Sequence, residues 1–235
     1  MDKNLEKIIT DSNYIVLFTG AGISCASGIP DFRSADGLYN EKTDVEFPPE
    51  RIISEWCLNE RPEIFFDFYK NKMVYKNAKP NVAHNYFAKL ERSGKLKAVI
   101  TQNIDGLHEK AGNKEICELH GSIHRNYCRQ CGKKYNLDYV IEQNGIPRCK
   151  KCGGVVRPDV VLYGEMLDLG IINKAIEHIK KADCLIVVGT SLTVQPAASM
   201  IQYYSGRKLV LINKEKTPYD EYANLVINEA IENVL

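Results

Sequence analysis

Four short runs of apolar and β-branched residues recur along the chain and predict the strands of a parallel sheet. They occupy residues 14–19, 98–101, 185–188 and 209–212. Each run is apolar on both faces and only four to six residues long. This pattern is typical of strands that helices cover on both sides.

Helical patterns lie between these runs. Within residues 81–93, apolar residues recur at helical spacing, and Gly94 provides a stop. A second helix is expected to begin at Pro196 and to end at Gly206. The alternation of strands and helices predicts a doubly wound α/β fold.

Two segments interrupt this alternation and are predicted to be insertions. Residues 127–156 contain paired cysteines, which do not fit the strand and helix patterns. Residues 36–78 lack a strand pattern and contain a cluster of aromatic side chains, namely Trp56, Phe65, Phe66, Phe68 and Tyr69.

The composition narrows the class of protein. Of the 235 residues, 44% are hydrophobic and 26% are charged, which is sufficient for a globular core. The net charge of +1 excludes a globally basic nucleic-acid binder, so we do not expect specific binding to nucleic acid. The charged N-terminus and the short apolar runs predict a cytoplasmic protein without an export signal or a membrane span.

Four of the eight cysteines have the spacing of a zinc site. Cys128 and Cys131 form one C-x-x-C pair, Cys149 and Cys152 form another, and 17 residues separate the pairs. A glycine follows each pair and allows the chain to turn tightly around a metal. We predict one structural Zn²⁺ with four thiolate ligands; two disulfides are the alternative.

The first predicted strand leads directly into a glycine-rich turn. Residues 20–28 read GAGISCASG, and such a turn brings backbone N–H groups close to a pyrophosphate. The dinucleotide fingerprint G-x-G-x-x-G is incomplete, because Cys25 occupies its last position. On this motif alone, nucleotide binding and a purely structural turn are equally open.

More polar residues follow the first two strands. The next motif places an acid, an aromatic ring and a cation side by side, namely Asp31, Phe32 and Arg33. Anchoring of the loop in the core is the alternative role for Phe32. Gln102, Asn103 and Asp105 follow the second strand, at the end where α/β folds bind ligands. Helix capping would explain one or two of these three residues, but not all of them.

His120 is the histidine that we predict to be chemically active. It precedes Gly121 and lies eight residues before the first cysteine pair. Because four thiolates already complete a tetrahedral zinc site, His120 is better explained as a general base. His84 and His178 lie inside helical patterns and are predicted to be structural.

In their order along the chain, these motifs resemble those of bacterial sirtuins, which are NAD-dependent protein-lysine deacylases. The shared motifs are GAGIS at 20–24, GIPDFR at 28–33, TQNID at 101–105, HG at 120–121, the four cysteines, RPDVVLYGE at 157–165 and GTSL at 189–192. The resemblance covers nearly the whole chain.

The resemblance implies two domains. A Rossmann-like NAD-binding domain would comprise residues 1–35, 79–126 and 157–235. A small domain would combine the helical insertion at 36–78 with a zinc ribbon at 127–156. NAD, as co-substrate, and an acylated-lysine protein would meet in the cleft between these domains.

The resemblance also assigns residues to the site by their positions in the shared motifs. Those expected to bind the cofactor are Gly20, Ala21, Gly22, Ser24, Cys25, Asp31, Phe32, Arg33, Gln102, Asn103, Ile104, Asp105, Gly189, Thr190, Ser191, Asn213, Lys214 and Ile231. The expected substrate segment, to which a substrate backbone would add as a strand, contains Val161, Tyr163, Gly164 and Glu165.

The implied reaction releases nicotinamide, transfers the acyl group to ADP-ribose and frees the lysine. His120 would take a proton from the ribose hydroxyls, and Asn103 would order the attacking water. The zinc would be structural.

Three other functions are alternatives. An NAD-dependent oxidoreductase would require a complete glycine fingerprint and a ribose-binding acid, and the sequence has neither. A non-catalytic zinc-ribbon module would use the basic residues around the cysteines, which a solvated surface explains equally well. Transfer of ADP-ribose to proteins is the third alternative.

The helical insertion bears on the acyl group. Sirtuins that prefer succinyl- or malonyl-lysine carry a Tyr-x-x-Arg pair there, and the counterpart here is Tyr69 with Lys72. Because lysine lacks the planar fork of arginine, we expect neutral acyl groups to be preferred. We further expect Lys72 to point to solvent, beside an apolar wall formed by Phe65, Phe66, Phe68 and Met73.

Overall fold

The computed structural model of the protein describes residues 2–31, 37 and 47–235, and the strands in these ranges form two sheets. In chain order the strands are β1 Ile15–Thr19, β2 Leu96–Thr101, β3 Ile116–Glu118, β4 Gly121–Cys128, β5 Lys134–Tyr135, β6 Val156–Val160, β7 Cys184–Val188, β8 Leu209–Ile212 and β9 Leu225–Ile227. The large sheet is parallel, with the order β3-β2-β1-β7-β8-β9. The small sheet is antiparallel, with the order β5-β4-β6.

Helices connect the strands of the large sheet and form most of the described part of the first insertion, residues 47–78. In chain order the α-helices are α1 Lys3–Thr10, α2 Pro49–Ile52, α3 Glu55–Glu60, α4 Pro62–Phe68, α5 Val82–Arg92, α6 Leu107–Ala111, α7 Leu137–Ile141, α8 Leu169–Lys181 and α9 Ile231–Val234. Shorter 3₁₀ helices span Ala21–Ser27, Ala198–Tyr203 and Asp220–Tyr222, and a π-helical turn spans Tyr69–Met73.

The central strand β1 has its side chains buried on both faces. Val16 and Phe18 pack into one hydrophobic cluster, whereas Ile15 and Leu17 pack into a second cluster on the opposite face. Side chains alternate across a strand, so the two clusters cover the two faces of the sheet. The predicted doubly wound α/β fold is therefore confirmed, and each of the four predicted strands is present.

Two strands of the large sheet escaped prediction from the sequence. β3 and β9 lie at its two edges and contain three residues each, and β9 is only half-buried. A strand this short does not produce a recognisable hydrophobic period, because its pairing depends on the neighbouring strand.

The prediction of a helix from Pro196 to Gly206 was wrong in length and type. The segment forms a 3₁₀ helix, Ala198–Tyr203. The Ser199 hydroxyl donates to the Pro196 carbonyl at 2.7 Å, and the Met200 amide bonds instead to Ala197. In an α-helix the Met200 amide would bond to the Pro196 carbonyl, so the serine side chain competes with the α-helical hydrogen bond.

The helical insertion and the zinc ribbon share one hydrophobic core. Aromatic side chains of the insertion are buried with apolar side chains of α7 and β6, namely Phe65, Phe66, Tyr69, Val140 and Val156. The ribbon sheet extends beyond residues 127–156, because β4 begins at Gly121 and β6 ends at Val160. The division of the chain into two domains at the stated boundaries stays a prediction.

Helix α5 begins as predicted and contacts the glycine-rich turn. The Asn81 side-chain oxygen accepts hydrogen bonds from the amides of Ala83 and His84, at 3.0 and 3.3 Å. The Asn81 amide group donates to the Ile23 carbonyl at 2.8 Å. The helix cap therefore also supports the turn that follows β1.

Two buried histidines lie beneath the carboxyl end of β2. The rings of His84 and His108 are 4.9 Å apart, and their exposed fractions are 0% and 3%. Burial lowers the pKa of His84 to about 4 and, together with the neighbouring His84, that of His108 to about 3. Both rings are therefore neutral in the folded protein at pH 7.

This histidine pair predicts that acid destabilises the fold. Unfolded histidines have a pKa of about 6.5, so below this pH the unfolded chain binds more protons than the folded protein. The free energy of unfolding should therefore fall from about pH 6.5 towards pH 4, by up to roughly 1.4 kcal/mol per pH unit for each histidine. Denaturant unfolding at pH 7, 6 and 5 measures this slope. The variant His108→Gln should reduce this slope by the contribution of one histidine. An unchanged slope would contradict the conclusion that His108 is neutral in the folded protein.

Candidate active site

A cleft lies at the carboxyl ends of the central parallel strands. Its volume is about 410 Å³, and its walls come from the turns after β1, β2, β7 and β8 and from the segment after β6. The chain proceeds outward from β1 to β2 and β3, and returns to β7 on the other side of β1. The cleft therefore lies at the topological switch point, where open α/β sheets bind ligands.

Two glycine turns pack against each other at this switch point. The Gly22 amide donates to the Gly189 carbonyl at 2.9 Å. A Cβ atom at Gly22 would lie 2.7 Å from Gly189 Cα, and a Cβ atom at Gly189, whose φ is +62°, would lie 2.4 Å from Ile23 N. A side chain at either position would separate the turns, which explains why glycine occupies both.

A hydrogen-bonded network of polar side chains lies at one end of the cleft. The Ser24 hydroxyl donates to an Asp105 carboxylate oxygen at 2.7 Å, and the side-chain amide of Asn103 donates to the Ser24 hydroxyl at 3.1 Å. The Leu107 amide donates to the other Asp105 oxygen at 2.8 Å. Asp105 therefore has both of the roles that the sequence suggested. Its carboxylate caps the start of α6, and it also lines the cleft.

A chain of buried hydroxyl groups supports this network from below. The Thr19 and Thr101 hydroxyl oxygens are 2.9 Å apart, and His108 Nε2 is 3.2 Å from Thr19. The backbone amide of Asn103 donates to the Thr101 hydroxyl at 3.0 Å. Sequence reasoning missed these hydrogen-bonded groups, because a threonine at a strand end or a histidine in a helix does not by itself indicate a network.

His120 lines the same cleft and has a defined tautomer. Its Nδ1 atom is 2.8 Å from the Gln102 carbonyl oxygen, which can only accept a hydrogen bond. The proton of the neutral ring is therefore on Nδ1, and Nε2 is left as the basic nitrogen. Burial lowers the pKa of His120, and the hydrogen bond from Nδ1 to the Gln102 carbonyl partly opposes this shift.

The opposite end of the cleft is formed by the turns after β7 and β8. Its lining includes Thr190, Ser191, Asn213, Lys214 and Ile231, as the sequence predicts. The Gln102 amide group donates to the Thr190 hydroxyl at 3.1 Å, so the turns after β2 and β7 are in direct contact.

An ion pair holds the segment that follows β6. Arg157 is 6% exposed, and its guanidinium contacts both carboxylate oxygens of Glu165 and the carbonyl of Val160. Glu165 also accepts a hydrogen bond from the Leu162 amide at 2.8 Å. The Glu165 carboxylate therefore stabilises its own loop. The sequence motif contains Arg157, but sequence reasoning assigned it no role.

The backbone of Tyr163 is paired with the helical insertion. Its amide donates to the Ile53 carbonyl at 3.1 Å, and its carbonyl accepts from the Glu55 amide at 2.9 Å. The segment 161–165 is thus held by the insertion on one side, while its residues line the cleft.

Each predicted site residue within the described ranges is in contact with the cleft or belongs to the cysteine cluster. The cleft lining also contains Gly20, Ala21, Cys25, Asp31, Ile104, Val161 and Gly164. Phe32 and Arg33 lie outside the described residues. Sequence reasoning missed lining residues from the insertion and from the turns after β7 and β8, namely Ile53, Tyr75, Val194, Gln195, Pro196 and Glu215.

The prediction of an apolar wall in the helical insertion was wrong. Phe65, Phe66 and Tyr69 are fully buried in the core shared with the zinc ribbon, because that core needs their large apolar surfaces. The π-helical turn that follows instead brings Lys72 and Met73 to the cleft. Lys72 is half-buried, so the expectation that it points to solvent was also wrong.

The four paired cysteines form one cluster. Their sulfur atoms all lie within 4.8 Å of one another, with Cys128 to Cys152 at 3.5 Å and Cys131 to Cys149 at 3.6 Å. Zinc–sulfur bonds of about 2.3 Å in a tetrahedron separate the sulfurs by about 3.8 Å. The cluster thus fits one structural Zn²⁺. The disulfide alternative is not supported, because all eight cysteines are unbridged.

The fold and the cleft define a class of protein. It is an α/β protein with a cleft at the switch point of a parallel sheet and with a four-cysteine zinc-binding unit inserted in the chain. None of the helices in the described ranges is long and apolar enough to span a membrane.

Comparison with known proteins identifies the family. The sequence matches the Sir2 family over residues 20–196, and the chain therefore belongs to that family, the sirtuins. The NAD-dependent protein deacetylase of Clostridium acetobutylicum is 56% identical over 232 residues, which cover 98% of this chain and 95% of the relative. The protein of the same name from Staphylococcus aureus strain Mu50 is 47% identical over 233 residues, with 99% and 96% covered.

Solved structures agree with this assignment. A Sir2 variant in complex with a deacetylated p53 peptide and 3′-O-acetyl-ADP-ribose has a TM-score of 0.91 and 38% identity, and covers 99% of this chain and 94% of its own. A complex of Sir2 with a p53 peptide and NAD⁺ has a TM-score of 0.86 and 39% identity, with 100% and 95% covered.

The cysteine cluster predicts that the protein depends on zinc for its stability. The variant Cys128→Ala should lose the metal and lower the melting temperature by about 10 °C or more, because structural zinc contributes directly to folding. Metal analysis and thermal unfolding measure these effects. Cys25→Ala, which removes a thiol outside the cluster, should keep its zinc. A wild-type protein that folds without bound zinc would refute the site.

Proposed function

We propose that this protein removes acetyl groups from lysine side chains of proteins, with NAD as co-substrate and with nicotinamide, O-acetyl-ADP-ribose and free lysine as products. The observation that carries the proposal is the position of His120, a neutral base in the cleft that also contains the Asp105 network and the segment 161–165. The names of the relatives and the ligands of the related Sir2 structures support it.

The nicotinamide end of NAD is assigned to the Asp105 network. Ser24 and the Leu107 amide already orient the Asp105 carboxylate, so this side chain does not have to reorganise when a carboxamide binds. Asn103 lies in the same network, where its side chain is in position to orient a water molecule. Phe32 and Arg33 are proposed to contact the same end of the cofactor.

His120 is assigned the role of general base. Nδ1 is engaged by the Gln102 carbonyl, so Nε2 is the nitrogen available to accept a proton from a ribose hydroxyl. The lowered pKa of His120 keeps the ring neutral at pH 7, which is the form that a base requires.

The acylated-lysine peptide is assigned to the segment after β6. The segment 161–165 lines the cleft, and a substrate backbone is proposed to add to its cleft-facing edge as a strand. The Arg157–Glu165 pair and the contacts of Tyr163 with the insertion hold this edge in place before a substrate binds. Pre-organisation of this kind reduces the entropic cost of binding.

We also propose a cytoplasmic location and no specific nucleic-acid partner. The eight unbridged cysteines are consistent with a reducing compartment, and the net charge of +1 gives no general attraction for phosphate backbones. Cell fractionation tests the location, and recovery in the membrane or secreted fraction would refute it.

The reaction is tested by following both products together. Purified protein with NAD and an acetyl-lysine peptide should release nicotinamide in equal amount to deacetylated peptide, which mass spectrometry detects as loss of the acetyl group. A peptide or protein that instead gains the mass of ADP-ribose would support ADP-ribosyl transfer and overturn the proposal.

The base assignment predicts the behaviour of His120→Ala. This variant should bind NAD and peptide but lose roughly 10²–10⁴-fold in turnover, because a positioned general base contributes about that factor. For the wild type, kcat/KM should decline only as the pH falls below about 6.5, since the pKa of His120 is lowered. Wild-type turnover in His120→Ala would rule out this role.

The cleft wall predicts a preference for neutral acyl groups. Tyr69 is buried and outside the cleft lining, so Lys72 reaches the cleft without the tyrosine of a Tyr-x-x-Arg pair. A single flexible ammonium group grips a carboxylate weakly. Comparison of kcat/KM for acetyl-, butyryl- and succinyl-lysine peptides should favour acetyl over succinyl by at least about tenfold.

The matched variants Lys72→Ala and Lys79→Ala complete this comparison, because Lys79 is exposed and lies outside the cleft lining. Neither variant should change the order of preference. A preference for succinyl-lysine that Lys72→Ala abolishes and Lys79→Ala retains would make Lys72 a carboxylate site.

A further inference from the structure

A bulge in β4 brings the zinc ribbon into contact with the loop that carries Asp105. The pairing of β4 with β6 shifts register between Ser122 and Asn126, so the intervening residues leave the ladder. The Ile123 amide then bonds to the Ile104 carbonyl at 3.0 Å. Bulges next to active sites commonly redirect a side chain, and here the redirected residue is His124.

His124 makes a specific contact with this loop. Its Nε2 atom is 3.0 Å from the Asp105 carbonyl oxygen, and only a protonated nitrogen can donate to that oxygen. The His124 amide donates to the Ser122 hydroxyl at 3.2 Å, which helps to fix the bulge. His124 belongs to β4 of the ribbon sheet, so this hydrogen bond joins the ribbon sheet to the loop that follows β2.

Gly106 provides the space for this histidine. Its φ is +70°, and a Cβ atom at this position would lie 2.7 Å from His124 Cδ2 and 2.9 Å from His124 Nε2. The imidazole therefore packs where a side chain would otherwise be. Glycine is needed here both for the backbone conformation and for the approach of the ring.

The same glycine makes the orientation of the Asp105 carbonyl dependent on an external donor. Glycine adopts positive and negative φ almost equally well, so the peptide between Asp105 and Gly106 can rotate at little cost. Rotation of this peptide would turn the Asp105 carbonyl and change the backbone next to the Asp105 carboxylate, which Ser24 and the Leu107 amide hold from the other side. The His124 hydrogen bond selects one orientation.

We propose that His124 is a positioning residue for the nicotinamide end of the site, and that it acts by holding the Asp105 carbonyl from the zinc ribbon. This inference rests on the proposed deacetylase function. Its consequence is that loss of the His124 donor weakens nicotinamide and NAD binding, while the peptide site and the base His120 are unaffected.

The test compares three variants of the full chain. His124→Ala removes the donor, His124→Gln keeps an N–H group near the position of Nε2, and His178→Ala removes another half-buried histidine, which contacts Tyr14 at the opposite end of β1. The measurements are kcat, KM for NAD, KM for an acetyl-lysine peptide, the inhibition constant of nicotinamide and the melting temperature.

His124→Ala should raise KM for NAD and the nicotinamide inhibition constant by about 3- to 10-fold, the range expected for one lost hydrogen bond. KM for the peptide should stay within about twofold of the wild type, as should every constant of His124→Gln and His178→Ala. A merely structural role for His124 would lower the melting temperature without changing the nicotinamide constant.

The outcomes distinguish a failure of the positioning role of His124 from a failure of the proposed deacetylase function. Wild-type constants in His124→Ala, with an active wild-type enzyme, would overturn the positioning role alone. Equal losses in His124→Ala and His124→Gln would also overturn it, because the donor would then be irrelevant. An inactive wild-type protein would overturn the deacetylase function and, with it, this role.

Discussion

The contact between the two glycine turns at Gly22 and Gly189 is the constraint on which the site depends. These turns end β1 and β7, the strands on either side of the switch point, and they approach so closely that neither tolerates a Cβ atom. Their contact forms the floor of the cleft and leaves backbone groups rather than side chains at its surface. A dinucleotide needs such close backbone approach to its pyrophosphate.

The polar groups of the cleft follow from this arrangement. Ser24 and Asp105 are 81 positions apart in the chain, yet they are hydrogen-bonded because the strands before them, β1 and β2, are neighbours. Gln102 and Thr190 are 88 apart, and their hydrogen bond spans the end of β1, which lies between β2 and β7. The contact between the glycine turns supports Ser24 and Thr190. The buried hydroxyl groups of Thr19 and Thr101 support the loop that follows β2. The active groups are thus oriented before any ligand binds.

The ribbon sheet and the segment that follows β6 both contact groups that line the cleft. Arg157 directly follows Val156, which pairs with Cys128 of the cysteine cluster, and its ion pair with Glu165 holds the segment 161–165. The β4 bulge contacts the loop at Ile104 and Asp105. The four cysteines lie outside the cleft lining, yet the ribbon sheet that they belong to contacts the loop at Ile104 and Asp105 and leads through β6 into the segment 161–165. A structural metal can therefore affect catalysis without taking part in the chemistry.

The features that depend on local spacing could be predicted from the amino-acid sequence. The buried strands, the cysteine ligands, the glycine turn and the sirtuin family were all readable, because each is encoded in residues that lie close together or in an ordered set of motifs. Tertiary structure decided the rest. The edge strands β3 and β9 and the burial of Tyr69 depend on neighbours that are distant in the chain. The contact of His124 with the Asp105 carbonyl depends on the register shift in β4, and the Arg157–Glu165 pair depends on how the segment after β6 folds back on its own strand.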